Sequence, residues 1–306
     1  MARRKKGVPV HGWLVLDKPL GLTSTHALAQ VKRLFDAQKA GHAGTLDPLA
    51  TGILPIAFGE ATKTVSYAVD GEKSYRFTVR WGVETTTDDA EGPASQSSDV
   101  RPSAAAIEAQ LPKFVGEIMQ VPPQFSAIKI DGDRAYDLAR SGETVELEAR
   151  PVLVDDLRVV EHVDADTTIF EADCGKGTYV RALARDMGRA LGCYGHVIAL
   201  RRTRVGPFSE EDAMTIDELR DTADADGVES LEAMLLPVEA ALDSLTELSI
   251  SPSDAASLCS GQPVLIRGRD APVLSGPVYA MSKGRLIALG EIDRGAIRPT
   301  RVFNFT

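Results

Sequence analysis

Residues 41–63 read GHAGTLDPLATGILPIAFGEATK, and the rest of the chain is organised around this stretch. One carboxylate, Asp47, stands in a run of small residues and is followed directly by Pro48. The residue before a proline is pushed out of the helical region, so Asp47 is expected in an extended loop geometry. Gly41, Gly44 and Gly52 permit tight turning and close approach by a ligand. Asp-Pro is equally the mark of a helix N-cap with proline in the first helical position, and the glycines are also ordinary turn residues. The loop by itself leaves both readings open.

Around it, the order of elements points to an α+β protein. Trp13–Asp17 (WLVLD) reads as a short apolar strand, and Ile53–Phe58 as a buried one. LGLTSTHALAQVKRLF predicts a helix capped by Thr23 or Ser24, with Ala27, Val31 and Leu34 on its apolar face. A second helix is expected over Glu60–Val69. In KSYRFTVRWG, Tyr75, Phe77, Val79 and Trp81 alternate with Arg76, Thr78 and Arg80, the period of a half-buried strand. Thr85–Ser98 is polar and rich in turn formers and reads as a loop. A short helix follows at Ala104–Leu111. Residues 121–150 carry mixed signals, with a turn at Asp131-Gly132 and a short helix at Ala135–Arg140; they read as an excursion able to clamp a substrate.

Strands are expected at Val152–Val160 and Thr167–Cys174, then a helix over Thr178–Leu191 with Val180, Leu183, Ala184, Met187 and Leu191 inward. Arg181, Arg185 and Arg189 recur every four residues and share another face. HVIAL is a strand running into Arg201-Arg202. The acidic segment 209–247 looks helical; its role is open, and a structural spacer is the plainer reading. Beyond Leu248 come short strands (VLI, PVYAM, LIALGEI, TRVFNF) parted by Gly and Pro.

The chain has 306 residues, 43% hydrophobic and 25% charged, which suits a globular protein of one large domain and one small. Its three cysteines, Cys174, Cys193 and Cys259, form neither a disulfide framework nor a metal-site spacing. The basic start is interrupted by Pro9, His11, Asp17 and Lys18, which speaks against a signal peptide or membrane span and for a cytoplasmic protein. The net charge of −10 looks hostile to nucleic acid, but residues 1–65 are net +5 and residues 174–206 net +6, while 66–173 and 209–247 are each −12. Screening beyond ~8–10 Å makes local charge the relevant quantity, so two basic segments folding together could form an RNA footprint; solvated basic faces are the plainer alternative.

None of the five histidines lies in an HExxH, a zinc spacing or a GxSxG elbow, and no Rossmann or phosphate-loop glycine pattern is present. The chemistry left is that of a carboxylate beside an arginine-rich helix and aromatics. Asp47 can act as nucleophile or base, and an arginine partner would keep it ionised. Tyr75 and Tyr179 are candidate aromatics, though each taken alone reads first as core or interface filler, and His42 could equally be structural. A glycoside hydrolase would need a second placed carboxylate, and none is evident.

GHAGTLDPLATGILPIAFGEATK resembles the nucleophile motif of the TruB family of tRNA pseudouridine synthases. The resemblance continues in LDKPLGLTS (16–24), KSYRFTVRWG, VPPQFSAIKIDGDRAYDLAR (121–140) and GKGTYVRALARDMGRALGCYGHVIALRRTRVG (175–206), in the family's order, from residue 10 to about 240. It implies a pseudouridine synthase-type mixed/antiparallel sheet with flanking helices over residues 1–245, a thumb-like excursion at 122–150, and a small β-rich PUA-like RNA-binding domain over 246–306. It implies conversion of uridine 55 in the T-loop of tRNA to pseudouridine, without cofactor or metal; separately, a monomer is the expected state. Residue by residue, Asp47 stands at the nucleophile, Tyr75 at the tyrosine that stacks on the target base and is the proposed base for the C5 proton, and Arg181 at the nucleophile's partner. Leu200 matches a leucine packing at the target base and His42 the histidine entering the RNA stack. Lys18, Pro19, Lys63 and Tyr179 match supporting positions. An RNA-binding protein with a vestigial site is the competing reading; the intact Asp47, Tyr75 and Arg181 speak against it.

Overall fold

The computed structural model describes residues 7–126, 129–130, 133–134, 147–266 and 275–305. The turn expected at Asp131-Gly132, the short helix at Ala135–Arg140 and most of the excursion therefore lie outside the described residues. No helix among the described residues is long and apolar enough to cross a membrane.

A nine-stranded sheet forms the body of the protein. Its strands are β1 (Gly12–Lys18), β2 (Ala40–His42), β3 (Ala50–Phe58), β4 (Lys73–Trp81), β7 (Gly116–Gln120), β10 (Arg150–His162), β11 (Thr167–Cys174), β12 (Gly195–Val205) and β13 (Phe208–Ser209). The main path runs β1-β3-β12-β4-β11-β10-β7. All these neighbours are antiparallel except β3 and β12, which run parallel.

The alternation along β4 is realised: Phe77, Val79 and Trp81 are buried, while Arg76 and Arg80 are exposed. β1 and β3 instead read as continuous apolar runs because both of their faces are covered. Leu14 and Leu16 pack with Ala27 and Val31 of the helix Ser24–Leu34. Trp13 and Val15 face the other way, toward Phe208, Val238, Leu286 and Phe303. Thr23 caps the helix, its side chain accepting from the His26 amide.

The acidic segment is less helical than its composition suggests. One α-helix, Ile216–Asp226, starts at a capping box of Thr215 and Glu218; the remainder forms short 3-10 turns. Its buried Leu219, Leu231, Val238 and Leu242 anchor it, and its backbone covers the edge of β1 through Trp13 with Leu236 and Asp17 with Met214. An edge strand that would template aggregation is thereby paired off. The helix expected over residues 60–69 divides into a 3-10 turn, Gly59–Lys63, and a helix, Val65–Asp70.

Thr85–Ser98 is not a simple loop. β5 (Val83–Thr85) pairs with β6 (Ala94–Ser97), and the turn between them buries Asp88 and Asp89. Residues 129–130 (β8) and 133–134 (β9) form a two-stranded ribbon.

From residue 246 a second sheet of five strands is ordered β14-β16-β17-β18-β15 (Thr246–Ser249, Gly276–Ser282, Arg285–Asp293, Ala296–Val302, Val264–Leu265). The helix Pro252–Cys259 packs on it through Ala255 and Leu258; neither that helix nor β14 is evident from the spacing of Gly and Pro. Leu286, Leu289 and Phe303 join the core beside β1, so the two sheets share apolar packing.

Candidate active site

No helix follows Asp47-Pro48. The chain enters β3 at Ala50, so the capped-helix alternative is excluded and the carboxylate sits on a strand-entry turn, with the Ala50 amide donating to the Asp47 carbonyl at 3.0 Å. That turn is fixed from two sides. Ser24 Oγ, buried at the start of its helix, donates to the Leu46 carbonyl at 3.0 Å and accepts from the Leu46 amide at 2.8 Å. On the other side, Arg202 donates from Nη2 to the Gly44 carbonyl at 2.9 Å and from Nε to the Ile53 carbonyl at 2.8 Å. Gly52 has φ +94, and a Cβ there would lie 2.2 Å from the Arg202 carbonyl, so only glycine fits where β3 and β12 meet.

One register brings the remaining parts to this turn. Leu200 of β12 lies opposite Ala50 of β3 and Phe77 of β4; Arg202 lies opposite Gly52 and Tyr75. The result is a cavity of about 290 Å³ whose lining includes Asp47, Tyr75, Tyr179, Arg181, Leu200 and Arg202. The Gly175–Thr178 turn and Lys73 complete part of its wall.

Arg181, 4% exposed, reaches Asp47 Oδ2 from Nε at 2.9 Å and Asp89 Oδ2 from Nη1 at 3.4 Å. Its remaining donors serve the Thr87 carbonyl at 2.8 Å and the Phe125 carbonyl at 2.9 Å. One guanidinium thus fixes the Asp47 turn, the 87–89 turn and the chain entering the 122–150 segment. Asp47 keeps 39% of its side chain exposed. Burial of its surroundings pushes the carboxyl up, Arg181 opposes that, and Asp89 adds to it.

Tyr75 is half-buried, its phenol pushed up by burial, with the Arg202 guanidinium against its hydroxyl opposing that shift. Tyr179 precedes the helix Val180–Ala190; its backbone amide donates to Gln120 Oε1 at 2.9 Å, and burial raises its phenol as well. Lys18 is fully buried behind the site, donating from Nζ to the Leu22 carbonyl at 2.7 Å and the Pro19 carbonyl at 3.0 Å. Burial lowers its ammonium to about 8 despite the attraction of Asp47. Pro19 is exposed beside it.

His42 lies at the end of β2, half-buried, and burial together with Arg202 lowers its imidazole, which favours the neutral ring. Lys63 stands at the junction of the two sheets: its Nζ meets Glu60 at 2.5 Å and donates to the Val302 carbonyl at 2.8 Å. The structure therefore brings Asp47, Tyr75, Arg181, Tyr179 and Leu200 around one cavity, sets Lys18 behind it, and puts Lys63 at the contact between sheets.

The arginine stripe has partners that spacing alone does not supply. Arg181 and Arg185 are buried, and Arg185 meets Asp88 at 3.0 Å, while Arg189 takes Glu84 at 2.7 Å. Elsewhere in 174–206, Lys176 pairs with Asp70, Arg201 with Asp17 and Arg204 with Glu72. Much of the positive charge counted toward a footprint is therefore neutralised within the chain. Asp89, Ser24 and Arg202 are the residues at the site that the sequence reading passes over. The available signal was the stripe itself, three guanidiniums on one helix face of a chain with surplus acid nearby.

Residues 32–180 match the N-terminal domain of the TruB family pseudouridylate synthases, and residues 181–243 match the C-terminal domain of tRNA pseudouridylate synthase B. The chain belongs to the TruB family. The two matched stretches meet beside Arg181, so Asp47 and its guanidinium partner come one from each. The protein is 62% identical over 299 residues to the tRNA pseudouridine synthase B of Rhodopseudomonas palustris, covering 97% of this chain and 82% of that one. It is 55% identical over 324 residues to the tRNA pseudouridine synthase B of Mesorhizobium japonicum, covering 99% of each. Among solved structures, the archaeal box H/ACA sRNP Nop10-Cbf5 complex contains a chain with TM-score 0.73 and 27% identity, covering 100% of this chain and 93% of that one. An H/ACA RNP bound to a substrate RNA containing 2′-deoxyuridine gives TM-score 0.75 at 26% identity, covering 99% and 92%. The TruB chain described here is accordingly an enzyme, an isomerase of the pseudouridine synthase type.

Proposed function

We propose that this TruB chain converts uridine 55 in the T-loop of tRNA to pseudouridine, with Asp47 as the nucleophile. The observation that carries the reading is the partly exposed Asp47 carboxylate at the wall of the cavity, held at 2.9 Å by a buried Arg181 and sharing that cavity with Tyr75 and Leu200. Relatives covered over nearly the whole chain are named tRNA pseudouridine synthases.

The reaction breaks the N1–C1′ bond, turns the uracil and forms C5–C1′; the C5 proton leaves and N1 gains one, so no electrons are transferred. Addition of the carboxylate at C6, attack at C1′, and proton removal leading to a glycal all require Asp47 ionised, and the Arg181 pair favours that form. A target base inside a folded loop must first be flipped out, at a cost of a few kcal/mol. Stacking on Tyr75, worth ~1–3 kcal/mol, offsets part of that. Leu200 packs at the flipped base, Tyr179 supports it, and a neutral His42 fills the gap in the RNA stack. Tyr75, stacked on the turned ring, takes the C5 proton while its hydroxyl gives up its own proton to solvent. Lys18 and Pro19 back the nucleophile turn, Lys63 holds the second sheet in place for the RNA, and the 122–150 segment closes on the substrate. The enzyme works as a cytoplasmic monomer without a cofactor, with residues 1–245 as the catalytic domain and 246–306 as a PUA-like RNA-binding domain.

The test uses a T-arm hairpin and mass-spectrometric mapping of pseudouridine. Asp47→Asn is expected to bind the hairpin as the wild type does and to form no product. Turnover by Asp47→Asn, or wild-type product at another position only, refutes the proposal.

A further inference from the structure

Arg202 is 2% exposed, among the largest fully buried side chains of the protein. Among the described residues it is the one lysine or arginine of 174–206 with no carboxylate within 4.0 Å. A buried cation with only neutral acceptors is costly, and replacing it with an apolar side chain would remove that cost. Its geometry explains why a guanidinium is there. The two carbonyls it holds, those of Gly44 and Ile53, bracket Asp47 in the chain, and its strand neighbour across β4 is Tyr75. A Cβ on Gly44 would lie 3.1 Å from Arg202 Nη1, so the turn is packed directly on the guanidinium.

We infer that Arg202 is the positioning residue of this site, tying the Asp47 turn to the Tyr75 strand so that the two groups face one bound base. The inference rests on the reading of Asp47 and Tyr75 given above. Lysine cannot reproduce it fully, because one ammonium on a flexible stem cannot reach both carbonyls in the planar fork that arginine offers. The uncompensated charge adds a second effect: a fixed cation beside the reacting groups favours negative charge developing there.

The experiment compares Arg202→Met and Arg202→Lys with the wild type in two measurements. The first is amide hydrogen exchange of the free protein. Residues 43–53 are expected to exchange faster in Arg202→Met, with Arg202→Lys between it and the wild type, while β10 and β11 stay as protected as before. Unchanged exchange at 43–53 overturns the tether, whatever reaction the enzyme catalyses. The second is single-turnover conversion of the T-arm hairpin together with hairpin affinity. Arg202→Met is expected to slow conversion about 100-fold with affinity unchanged, as for a misplacement of reacting groups. Arg202→Lys is expected to regain about ten-fold, as restoring one charge-assisted contact should. Conversion at the wild-type rate, or a loss that appears wholly in affinity, overturns the inference. If Arg202→Met fails to fold, Arg202→Lys carries both measurements, with the same direction and a smaller size. Wild-type enzyme that leaves uridine 55 unconverted refutes the functional reading instead, and the exchange result still decides the tether.

Discussion

Replacing Arg181 tests the site where structure and chemistry are most tightly joined. Arg181 is 4% exposed and serves two carboxylates and two carbonyls. Removing one partner of a buried ion pair costs ~3–5 kcal/mol, because the other charge stays behind. Here Asp89, with 3% of its side chain exposed, is left without the guanidinium. A domain's total stability is ~5–15 kcal/mol, so Arg181→Met should lose a large share of it. Arg181→Lys keeps the charge and loses the fork, and the expected cost is one or two hydrogen bonds to charged groups, ~1.5–3 kcal/mol each.

The effect on rate has its own signature. If ~3–4 kcal/mol of positioning at Asp47 is lost, conversion slows by roughly 10²–10³. The pH profile should also move. Arg181 is the strongest influence opposing burial at Asp47, so its loss raises the carboxyl further, and the reactive carboxylate form appears only at higher pH. Single-turnover rates for wild type, Arg181→Lys and Arg181→Met between about pH 5 and 8 should show the acid limb at highest pH in Arg181→Met. Urea melts of the same samples separate unfolding from chemistry. An acid limb that stays in place, in a variant shown to be folded, refutes the assignment of Arg181 as the partner that keeps Asp47 ionised.

Three further outcomes follow from the same contacts. Burial, opposed by Arg185 and Arg181, pushes Asp88 up to about 6 from 3.8, so the stability it contributes is full below the unfolded value and lost as pH rises through about 6. That change amounts to ~3 kcal/mol over the window and should be absent from Asp88→Asn; urea midpoints with the same pH slope in both proteins contradict it. Ser24→Ala leaves the Leu46 amide and carbonyl without their partner and should cost ~1–3 kcal/mol, read as a lower melting temperature together with slower conversion. Gly52→Ala drives a Cβ into the Arg202 carbonyl at φ +94 and should fail to give soluble, cooperatively melting protein; a melting temperature near the wild-type value would show that β3 and β12 can separate there at little cost.

Local patterns read from the sequence survive where one element meets one covered face. The alternation of β4, the cap at Thr23 and the run 167–174 are properties of short neighbouring residues, and the structure reproduces them. The readings that fail depend on residues far away in the chain. Thr85–Ser98 looks like loop because its residues are polar, yet its Asp88 and Asp89, with Glu84 just before them, are buried because Arg185, Arg181 and Arg189 come to them from about a hundred residues on. The helical period places those arginines correctly on one face. It cannot say whether that face meets water, RNA or a folded-back turn of acids. The site divides in the same way. Asp47, Tyr75 and Arg181 are recognisable from their motifs, whereas Ser24 and Arg202 act through the backbone of a loop whose position only the β3–β12 register defines.

Those internal pairs also alter how an acidic protein can bind a polyanion. A guanidinium at contact distance from a carboxylate presents a dipole to a distant phosphate, and a dipole's field falls off faster than a charge's before salt screens either. The formal +6 of residues 174–206 therefore overstates what RNA meets. Arg181 and Arg185 spend their charge on holding the 87–89 turn and the entry to the 122–150 segment, as Arg189 does on Glu84. Carboxylates around this site thus do two jobs: Glu84, Asp88 and Asp89 fix arginines in place, and Asp47, fixed by one of those arginines, remains open to the cavity. Arg202 breaks the pattern: it donates to the neutral carbonyls of Ile53 and Gly44, and among the described residues no carboxylate pairs with it. A pocket wall with an accessible carboxylate and the Arg202 guanidinium behind it favours a substrate that is neutral on arrival and gains negative charge as it reacts, and a uracil ring meets that description.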